Sequence, residues 1–438
     1  MTYRETLDFL FSSLPMYQRI GAAAYKADLN NAHTLDRYFD FPHRKYLTVH
    51  VAGTNGKGSV SHILASVLQE AGYKTGLYTS PHLLDFRERI KVNGDEVPED
   101  YVVEFVEKHK AVFLEHETSF FEMTVFMAFE FFAAERVDVA VIEVGLGGRL
   151  DTTNVITPRL SVITNIGLDH TQILGRDLKT IAGEKAGIIK NNVPVVIGET
   201  NSETESIFIE KAKKENSAIE FADNNYRAEY LLRETDGKMN IRISPAKQSE
   251  GFFLKCDLIG EYQAKNCITA LSAIDSLKKT GMQIPGEAIE NGFSNIIKNT
   301  RISGRWQILQ HNPTWVCDVG HNKEGISYIV NQLSNTPYKE LWMIMGFVND
   351  KDLPEITRIL PRDAHYLLCE PTIPRAMKNE AAAIEFNKYN LDYQVCQSLD
   401  EACKIVSKKA CENDLIFTGG STFLVADLLL LKKNDISF

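Results

Sequence analysis

The stretch Val49–Ser61, V-H-V-A-G-T-N-G-K-G-S-V-S, most limits how this chain can fold. A run rich in β-formers, Tyr46 to Ala52, leads into it. A stretch with helical spacing, Ser59 to Ala71, leads out, with apolar residues at Val60, Ile63, Leu64, Val67 and Leu68. The order is strand, glycine-rich turn, helix. Gly53, Gly56 and Gly58 let the backbone turn tightly with its N–H groups inward. Lys57 adds a positive charge and the helix N-terminus adds its dipole, a combination that binds phosphate. Ser59 brings a hydroxyl suited to Mg²⁺. The spacing departs from the usual G-x-x-x-x-G-K-[ST], because Gly58 stands between Lys57 and Ser59. A glycine turn that binds nothing is the plain structural alternative.

A chain of 438 residues is too long for one core, so two domains are expected. At 44% hydrophobic and 24% charged residues it reads as an ordinary soluble globular protein. The net charge of -10 argues against a general nucleic-acid binder. Seven cysteines without a C-x-x-C pair suggest free, mostly buried thiols in a reducing cytoplasm. Met1 to Pro15 shows no basic segment followed by an apolar one, and no apolar run reaches the ~18 residues of a membrane span. A cytoplasmic protein with no membrane or nucleic-acid partner is therefore expected. With no heptad and no self-pairing strand in view, so is a monomer.

Helical patterns cover Thr2 to Leu14, Pro98 to Leu114, Phe120 to Ala134 and Glu261 to Lys278. The stripe Phe121, Val125, Phe129 and Phe132 reads as core. Strand patterns cover Tyr73 to Thr79, Val137 to Val144, Leu160 to Asn165 and Val193 to Gly198. Strands alternating with helices imply parallel pairing, with ligands at the carboxyl ends of the strands. Alternation between Glu220 and Asp257, with a turn at Asp236-Gly237, predicts a small antiparallel patch on the edge of the first domain. After a polar stretch, Lys298 to Ser303, strands follow at Trp315 to Val319, Leu341 to Gly346, His365 to Cys369, Tyr393 to Cys396 and Leu415 to Thr418. The expected fold is thus α/β. A doubly wound, mostly parallel domain built on the P-loop covers 1–298, and a smaller Rossmann-like α/β domain covers 304–438.

Chemistry-bearing residues sit at the strand ends. Glu143 opens E-V-G-L-G-G-R-L-D-T-T-N, placed like a Mg²⁺ ligand of a nucleotide site, with a turn-capping acid as the alternative. Asp169 and His170 follow the next strand, where His170 reads as a metal ligand or as a structural histidine. Lys185, in G-E-K-A-G-I, either pairs with Glu184 on a helix surface or faces the site. Facing it as an ammonium about 5 Å from a divalent ion, at an effective dielectric near ~20, it would be repelled by roughly 6–7 kcal/mol. Carbamylation by CO₂ would reverse that sign and make it a ligand. In the second domain, Asp318 at a strand end can hold ribose hydroxyls and Arg305 can pair with phosphate or carboxylate, or both can be a turn acid and a surface cation. Ser421 reads as a cap for the last helix. No N-K-x-D reads guanine, since Asn322-Lys323 continues Glu-Gly, so ATP is favoured. No thiol or Ser-His-Asp motif suggests a covalent enzyme nucleophile. An ATP enzyme whose second domain closes over the nucleotide suits phosphoryl transfer to a small substrate.

The motifs G-T-N-G-K-G-S, S-P-H-L, E-V-G-L-G-G-R-L-D-T-T-N, L-D-H-T, E-K-A-G-I, Y-Q-A-K-N, G-R-W and D-V-G-H-N stand here in this order. In them the chain resembles the folylpolyglutamate synthase/dihydrofolate synthase family of the Mur ligase superfamily, from about Leu14 to Asn322. The resemblance implies an acid–amino acid ligase. ATP phosphorylates a carboxylate of a pterin substrate, dihydropteroate or a reduced folate. The amine of L-glutamate then attacks the acyl phosphate, giving an amide, ADP and phosphate.

By motif, the resemblance places Asn55, Gly56, Lys57, Gly58 and Ser59 on the ATP phosphates, and Ser59, Ser80, Glu143 and His170 on Mg²⁺. Lys185 matches a carbamylated lysine that joins the metal. Asn266, Arg305 and Asp318 match nucleotide contacts, with His321 beside them. Ser119, Phe121, Leu150, Asp151 and Thr152 match pterin contacts, and Gly21 matches loosely. Catalytic roles fall to Lys57, Lys185, His170 and His321, and the C-terminal domain is implied to bind glutamate. Asp169 and His321 are the candidates for deprotonating the incoming amine. Two other readings compete. One is a Mur-type ligase acting on a cell-wall precursor, against which stands the extended motif from Glu143 to Asn154. The other is a nucleotide-binding regulator without turnover.

Overall fold

The computed structural model describes residues 1–16, 28–233, 237–246, 250–349 and 351–433, with the backbone alone at 231–233. Gly21 and Asp236 lie outside the described residues. The chain divides into two compact units. One comprises Met1–Leu258 and Tyr262–Ile302, the other Ile259–Glu261 and Ser303–Phe438.

The first unit is organised on an eight-stranded sheet. In chain order its strands are β1 (Leu47–Ala52), β2 (Thr75–Tyr78), β3 (Ile90–Val92), β4 (Asp95–Glu96), β5 (Val139–Glu143), β6 (Leu160–Ile163), β7 (Val195–Ile197) and β8 (Ile219–Phe221). Their spatial order is β4-β3-β2-β5-β1-β6-β7-β8. From β2 through to β8 every neighbour is parallel, while β3 and β4 add an antiparallel edge. This is the mostly parallel α/β arrangement expected from the alternation of strands and helices. The central strands are buried throughout, as a sheet covered on both faces requires, and they read as unbroken apolar runs for that reason.

The register decides where the chemistry goes. Val51 pairs with Glu143, Ala52 with Ile163, and Tyr78 with Ile142. The carboxyl ends of β1, β2, β5 and β6 therefore lie on one edge of the sheet, with β1 between β5 and β6. The chain leaves these ends at Gly53, Thr79, Val144 and Thr164.

The helix Phe120–Ala134 supplies much of the core beside β2 and β5. Val125, Phe129 and Phe132 of the predicted stripe are fully buried, and so is Phe126. Burying such a ring contributes on the order of 2–3 kcal/mol. Phe121 departs from the stripe. It is only partly buried and belongs to the site described below. The helix starts at a reciprocal cap. Ser119 Oγ accepts from Glu122 N and the Glu122 carboxylate accepts from Ser119 N at 2.7 Å.

The antiparallel edge was not anticipated, although its turn is written in the sequence. Asn93 and Gly94 both have positive φ, 48° and 82°, which is the twist a two-residue hairpin needs. The region after Glu220 forms its own three-stranded antiparallel sheet, β9 (Tyr226–Arg233), β10 (Met239–Pro245) and β11 (Phe252–Cys256), in the order β11-β10-β9. Met239, Ile241 and Ile243 of β10 are buried while Arg242 between them is exposed, which is the alternation that marked this stretch.

The second unit carries a six-stranded sheet of β12 (Gln307–His311), β13 (Thr314–Cys317), β14 (Leu341–Met345), β15 (His365–Leu368), β16 (Asp392–Val395) and β17 (Leu415–Gly419). The order is β12-β13-β17-β14-β15-β16, parallel except at β12. The edge strand β12 was not foreseen, because its alternation is short and polar. No helix among the described residues is long and apolar enough to cross a membrane.

Candidate functional site

The glycine-rich turn after β1 is held from below by the end of β6. Asn55 N donates to Asn165 Oδ1 at 2.8 Å, and Thr164 Oγ1 donates to Asn55 O at 2.5 Å. Gly56 stands at the helix N-cap with φ +82°, a conformation that favours glycine. A Cβ there would lie 2.3 Å from Oδ1 of Asn266. The following helix runs Lys57–Glu70, so it begins at Lys57 and not at Ser59 as the apolar spacing suggested. The free N–H groups of its first turn therefore belong to the loop's own Lys57, Gly58 and Ser59.

Two lysines meet at this loop. Lys57 Nζ donates to Gly53 O at 3.1 Å and to Thr54 O at 3.2 Å. Lys185 Nζ donates to the same Gly53 carbonyl at 2.8 Å. Lys185 is only 3% exposed. The surface pairing considered for it does not form, because Glu184 pairs with Arg149 at 2.8 Å.

The helix Gln263–Lys279 reaches the loop from the other side. Gln263 Nε2 donates to Ser59 Oγ at 3.2 Å, and Asn266 Nδ2 donates to Gln263 Oε1 at 2.7 Å. Asn266 thus comes to Gly56 of the loop. Gln263 was missed, although it stands in the same Y-Q-A-K-N motif. Thr164 and Asn165 were missed because the strand was read through them.

At the end of β5, the buried carboxylate of Glu143 accepts from Ser80 N through Oε2 at 3.3 Å. Asp169 Oδ1 accepts from His170 N at 2.9 Å, and His170 adopts a left-handed backbone (φ 51°) ahead of the helix Thr171–Leu174. Among the described residues no three His, Cys, Asp or Glu side chains form a metal cluster by themselves. The donors offered by Ser59, Ser80 and Glu143 are oxygens, the hard ligands that Mg²⁺ takes. They fit that ion. Lys185 as an ammonium is a donor and does not fit as a ligand, whereas its carbamate would.

The loop after Glu143 folds around Asp151. Its Oδ1 accepts from Thr153 N at 3.0 Å and from Thr153 Oγ1 at 2.5 Å, and its Oδ2 accepts from Leu146 N at 2.8 Å. Burial pushes the Asp151 carboxyl up to about 6, against the pull of these hydrogen bonds. Behind it, His50 Nε2 lies 2.9 Å from Thr153 Oγ1. Burial holds the His50 imidazole down to about 3, so it is neutral. Leu150 is half-buried, and Thr152 is buried at the start of the turn Thr152–Val155.

Phe121 is brought over the same loop. A Cβ on Gly145 would lie 2.4 Å from Phe121 Cζ, and the Phe121 and Tyr78 rings are 6.3 Å apart. Ser119 is placed as a helix cap, its hydroxyl oxygen occupied by Glu122 N. Of the predicted pterin residues, then, Phe121 lies over Gly145, at the start of the loop that carries Leu150, Asp151 and Thr152, and Asp151 directs its carboxylate at the loop itself.

In the second unit Asp318 follows β13. Its Oδ2 accepts from Trp306 N at 2.7 Å and its Oδ1 from Gly320 N at 2.8 Å, which sets Arg305 beside it in the chain fold. His321 Nδ1 lies 3.0 Å from Val319 O. The carbonyl can only accept, so Nδ1 is the donor in this bond. Ser421 Oγ accepts from Phe423 N at 3.1 Å, the capping role expected of it.

Comparison with known proteins follows the same division. The model of the Mur ligase middle domain matches residues 51–274, and that of the Mur ligase glutamate ligase domain matches residues 304–422. The chain is 30% identical over 407 residues to the dihydrofolate synthase/folylpolyglutamate synthase of Bacillus subtilis, covering 88% of this chain and 90% of that one. It is 31% identical over 440 residues to the probable bifunctional folylpolyglutamate synthase/dihydropteroate synthase of Haloferax volcanii, covering 98% of this chain and 50% of that protein. It therefore spans about half the length of the haloarchaeal relative. Among solved structures, E. coli FolC in complex with DHPP and ADP superimposes with a TM-score of 0.84 at 26% identity, over 100% of this chain and 99% of that one. Mycobacterium tuberculosis folylpolyglutamate synthase complexed with ADP gives 0.84 at 26% identity, over 98% of both chains.

Proposed function

The chain belongs to the folylpolyglutamate synthase/dihydrofolate synthase family of the Mur ligase superfamily, and we propose that it joins L-glutamate to dihydropteroate, to reduced folates, or to both, with ATP converted to ADP. The observation that carries this reading is the convergence, on one edge of the first sheet, of the glycine loop with its two lysines, the acid Glu143 and the aromatic-lined loop 145–152. Phosphate, divalent cation and a flat substrate ring each have a matching surface there.

In this reading the N–H groups of Asn55 to Ser59 and the ammonium of Lys57 hold the ATP phosphates and neutralise charge on the transferring phosphoryl group. Ser59, Ser80, Glu143 and His170 hold Mg²⁺, joined by a carbamylated Lys185. The metal, when bound, neutralises phosphate charge. Asn266, Arg305 and Asp318 contact the nucleotide, and the second unit binds L-glutamate. Phe121 and the loop 145–152 position the pterin so that its carboxylate meets the γ-phosphate. The acyl phosphate formed is attacked by the amine of glutamate, with phosphate leaving as the amide bond closes. Asp169 and His321 are the candidates for the base that takes the proton of that amine.

The test is ADP release with ATP, Mg²⁺ and L-glutamate, comparing dihydropteroate with tetrahydrofolate. Turnover with both acceptors would establish both activities, and turnover with one would settle which is present. ADP release that does not depend on glutamate and either acceptor would overturn the reading.

A further inference from the structure

Arg89 lies at the end of the turn Phe86–Arg89, where β3 begins, and is 3% exposed. A buried guanidinium is costly unless it is paired. Among the described residues no carboxylate forms an ion pair with it. The adjacent acid, Glu88, is occupied elsewhere: it accepts from the N–H groups of Leu83, Leu84 and Asp85 at 2.7, 2.8 and 2.9 Å. Arg89 instead lies 5.2 Å from the centroid of the Phe120 ring. Its Nε donates to Nδ1 of His82 at 2.7 Å.

These contacts grip one short segment from both ends. Thr79 N donates to Arg89 O at 3.0 Å, and His82 is bound by the guanidinium. Between them stands Ser80, whose N–H meets Glu143 at 3.3 Å. An arginine Nε–H can only donate, so Nδ1 of His82 can only accept. That fixes His82 as a neutral ring with its proton on Nε2.

We propose that Arg89 and His82 are positioning residues for the divalent cation: they fix the Thr79–His82 segment so that the Ser80 hydroxyl and the Glu143 carboxylate are presented together as oxygen donors. The proposal rests on the reading of Ser80 and Glu143 as metal ligands. Groups that orient metal ligands tune affinity about 10–100-fold, and a merely structural arginine would not change metal affinity selectively.

The test compares His82→Asn with His82→Gln. The asparagine oxygen can occupy the Nδ1 position and keep the bond from Arg89, whereas glutamine reproduces the Nε2 position and loses it. Mn²⁺ binding is read by the loss of its free-ion EPR signal, in the presence of ADP. Metal-free ADP binding and thermal unfolding are measured alongside, with Arg89→Met, Arg89→Lys and Ser80→Ala. The expected result is Mn²⁺ affinity reduced about tenfold or more in H82Q and R89M, near wild type in H82N, and reduced in S80A, with metal-free ADP binding unchanged throughout. The H82N and H82Q pair carries the result even if R89M does not fold. Equal Mn²⁺ affinity in H82N and H82Q, with S80A weakened, overturns the positioning role alone. Unchanged Mn²⁺ affinity in S80A overturns the metal reading as well.

Discussion

The ammonium groups of Lys57 and Lys185 converge on one carbonyl oxygen, that of Gly53, at 3.1 and 2.8 Å. They come from opposite directions, Lys57 from the helix after β1 and Lys185 from the helix Leu178–Ala186. Two cations on one dipole suit an anionic guest. A divalent cation beside Glu143 would repel both, and Lys185 is the more deeply buried of the two. Conversion of the Lys185 ammonium to a carbamate removes that repulsion and supplies an oxygen ligand. Lys185→Ala should therefore lose nearly all ligase activity, with partial recovery in acetate or another short carboxylate. Native wild-type protein equilibrated with ¹³C-bicarbonate should show a carbamate carbon signal that is absent from Lys185→Ala. Full activity of the variant without added carboxylate would return this lysine to a structural role.

Lys57 makes a separate prediction. Its ammonium now rests on the Gly53 and Thr54 carbonyls, within reach of the space that the loop's N–H groups enclose. Lys57→Ala removes the charge while the glycine turn stays held by Asn165 and Thr164. Turnover should fall by about 10²–10³-fold, the usual effect of deleting one preorganised donor to a transition state. The melting temperature should be little changed. Activity within a few-fold of wild type in steady-state assays would remove Lys57 from the phosphate site.

Asp151 makes a prediction about pH. Its carboxylate accepts three bonds from Leu146 and Thr153, and its carboxyl titrates at about 6. The Thr153 hydroxyl gives its proton to Asp151, so His50 Nε2 must donate to that hydroxyl. His50 stays neutral above about 3 and contributes no second ionisation near neutrality. Protonating Asp151 puts a hydrogen where donors already point, which loosens the loop under Phe121. The prediction is that kcat/KM falls tenfold per unit as pH drops below about 6. Stability has the opposite sign. The folded pKa is raised above the unfolded ~3.9, so this residue's contribution is present below that value and is lost as pH rises through about 6. Asp151→Asn should have low activity with no acid limb at this pH. A wild-type profile flat down to pH ~5 would contradict the assignment.

How much of this was legible in the sequence varies with the range of the signal. The strand, glycine turn and helix at Val49 to Ala71 are local, and their change of period from two to 3.6 marks them directly. Helix starts are less visible: apolar spacing pointed to Ser59, whereas Gly56 in its left-handed conformation starts the helix at Lys57. The Asn93-Gly94 hairpin was readable from its two turn residues, yet its strands are too short to show alternation. Glu143 could be placed because it ends an apolar strand, whereas Ser80 was placed only through the resemblance of its S-P-H-L motif. Gln263 could not, because its meaning lies in a bond to Ser59, which is far away in the chain. Arg89 and His50 are similar cases. One resembles any charged residue of a turn and the other any residue of a strand, until burial and partners single them out.

Gly145 offers the sharpest test of the substrate side. Its backbone lies outside the left-handed region, so alanine can adopt its conformation without strain. What alanine cannot avoid is the Phe121 ring, whose Cζ lies 2.4 Å from where the new methyl would be. The ring is the free end of a partly buried side chain, so it should swing aside and leave the helix Phe120–Ala134 intact. If Phe121 covers the pterin, Gly145→Ala should raise the KM for dihydropteroate or tetrahydrofolate by about tenfold, the effect of losing ~1.4 kcal/mol of aromatic contact. The KM for ATP should stay near wild type, since Lys57, Asn266 and Ser59 are held through the glycine loop and the helix Gln263–Lys279. An equal rise in both constants would mean that the whole loop after Glu143 has shifted. An unchanged pterin KM would take Phe121 out of the substrate site.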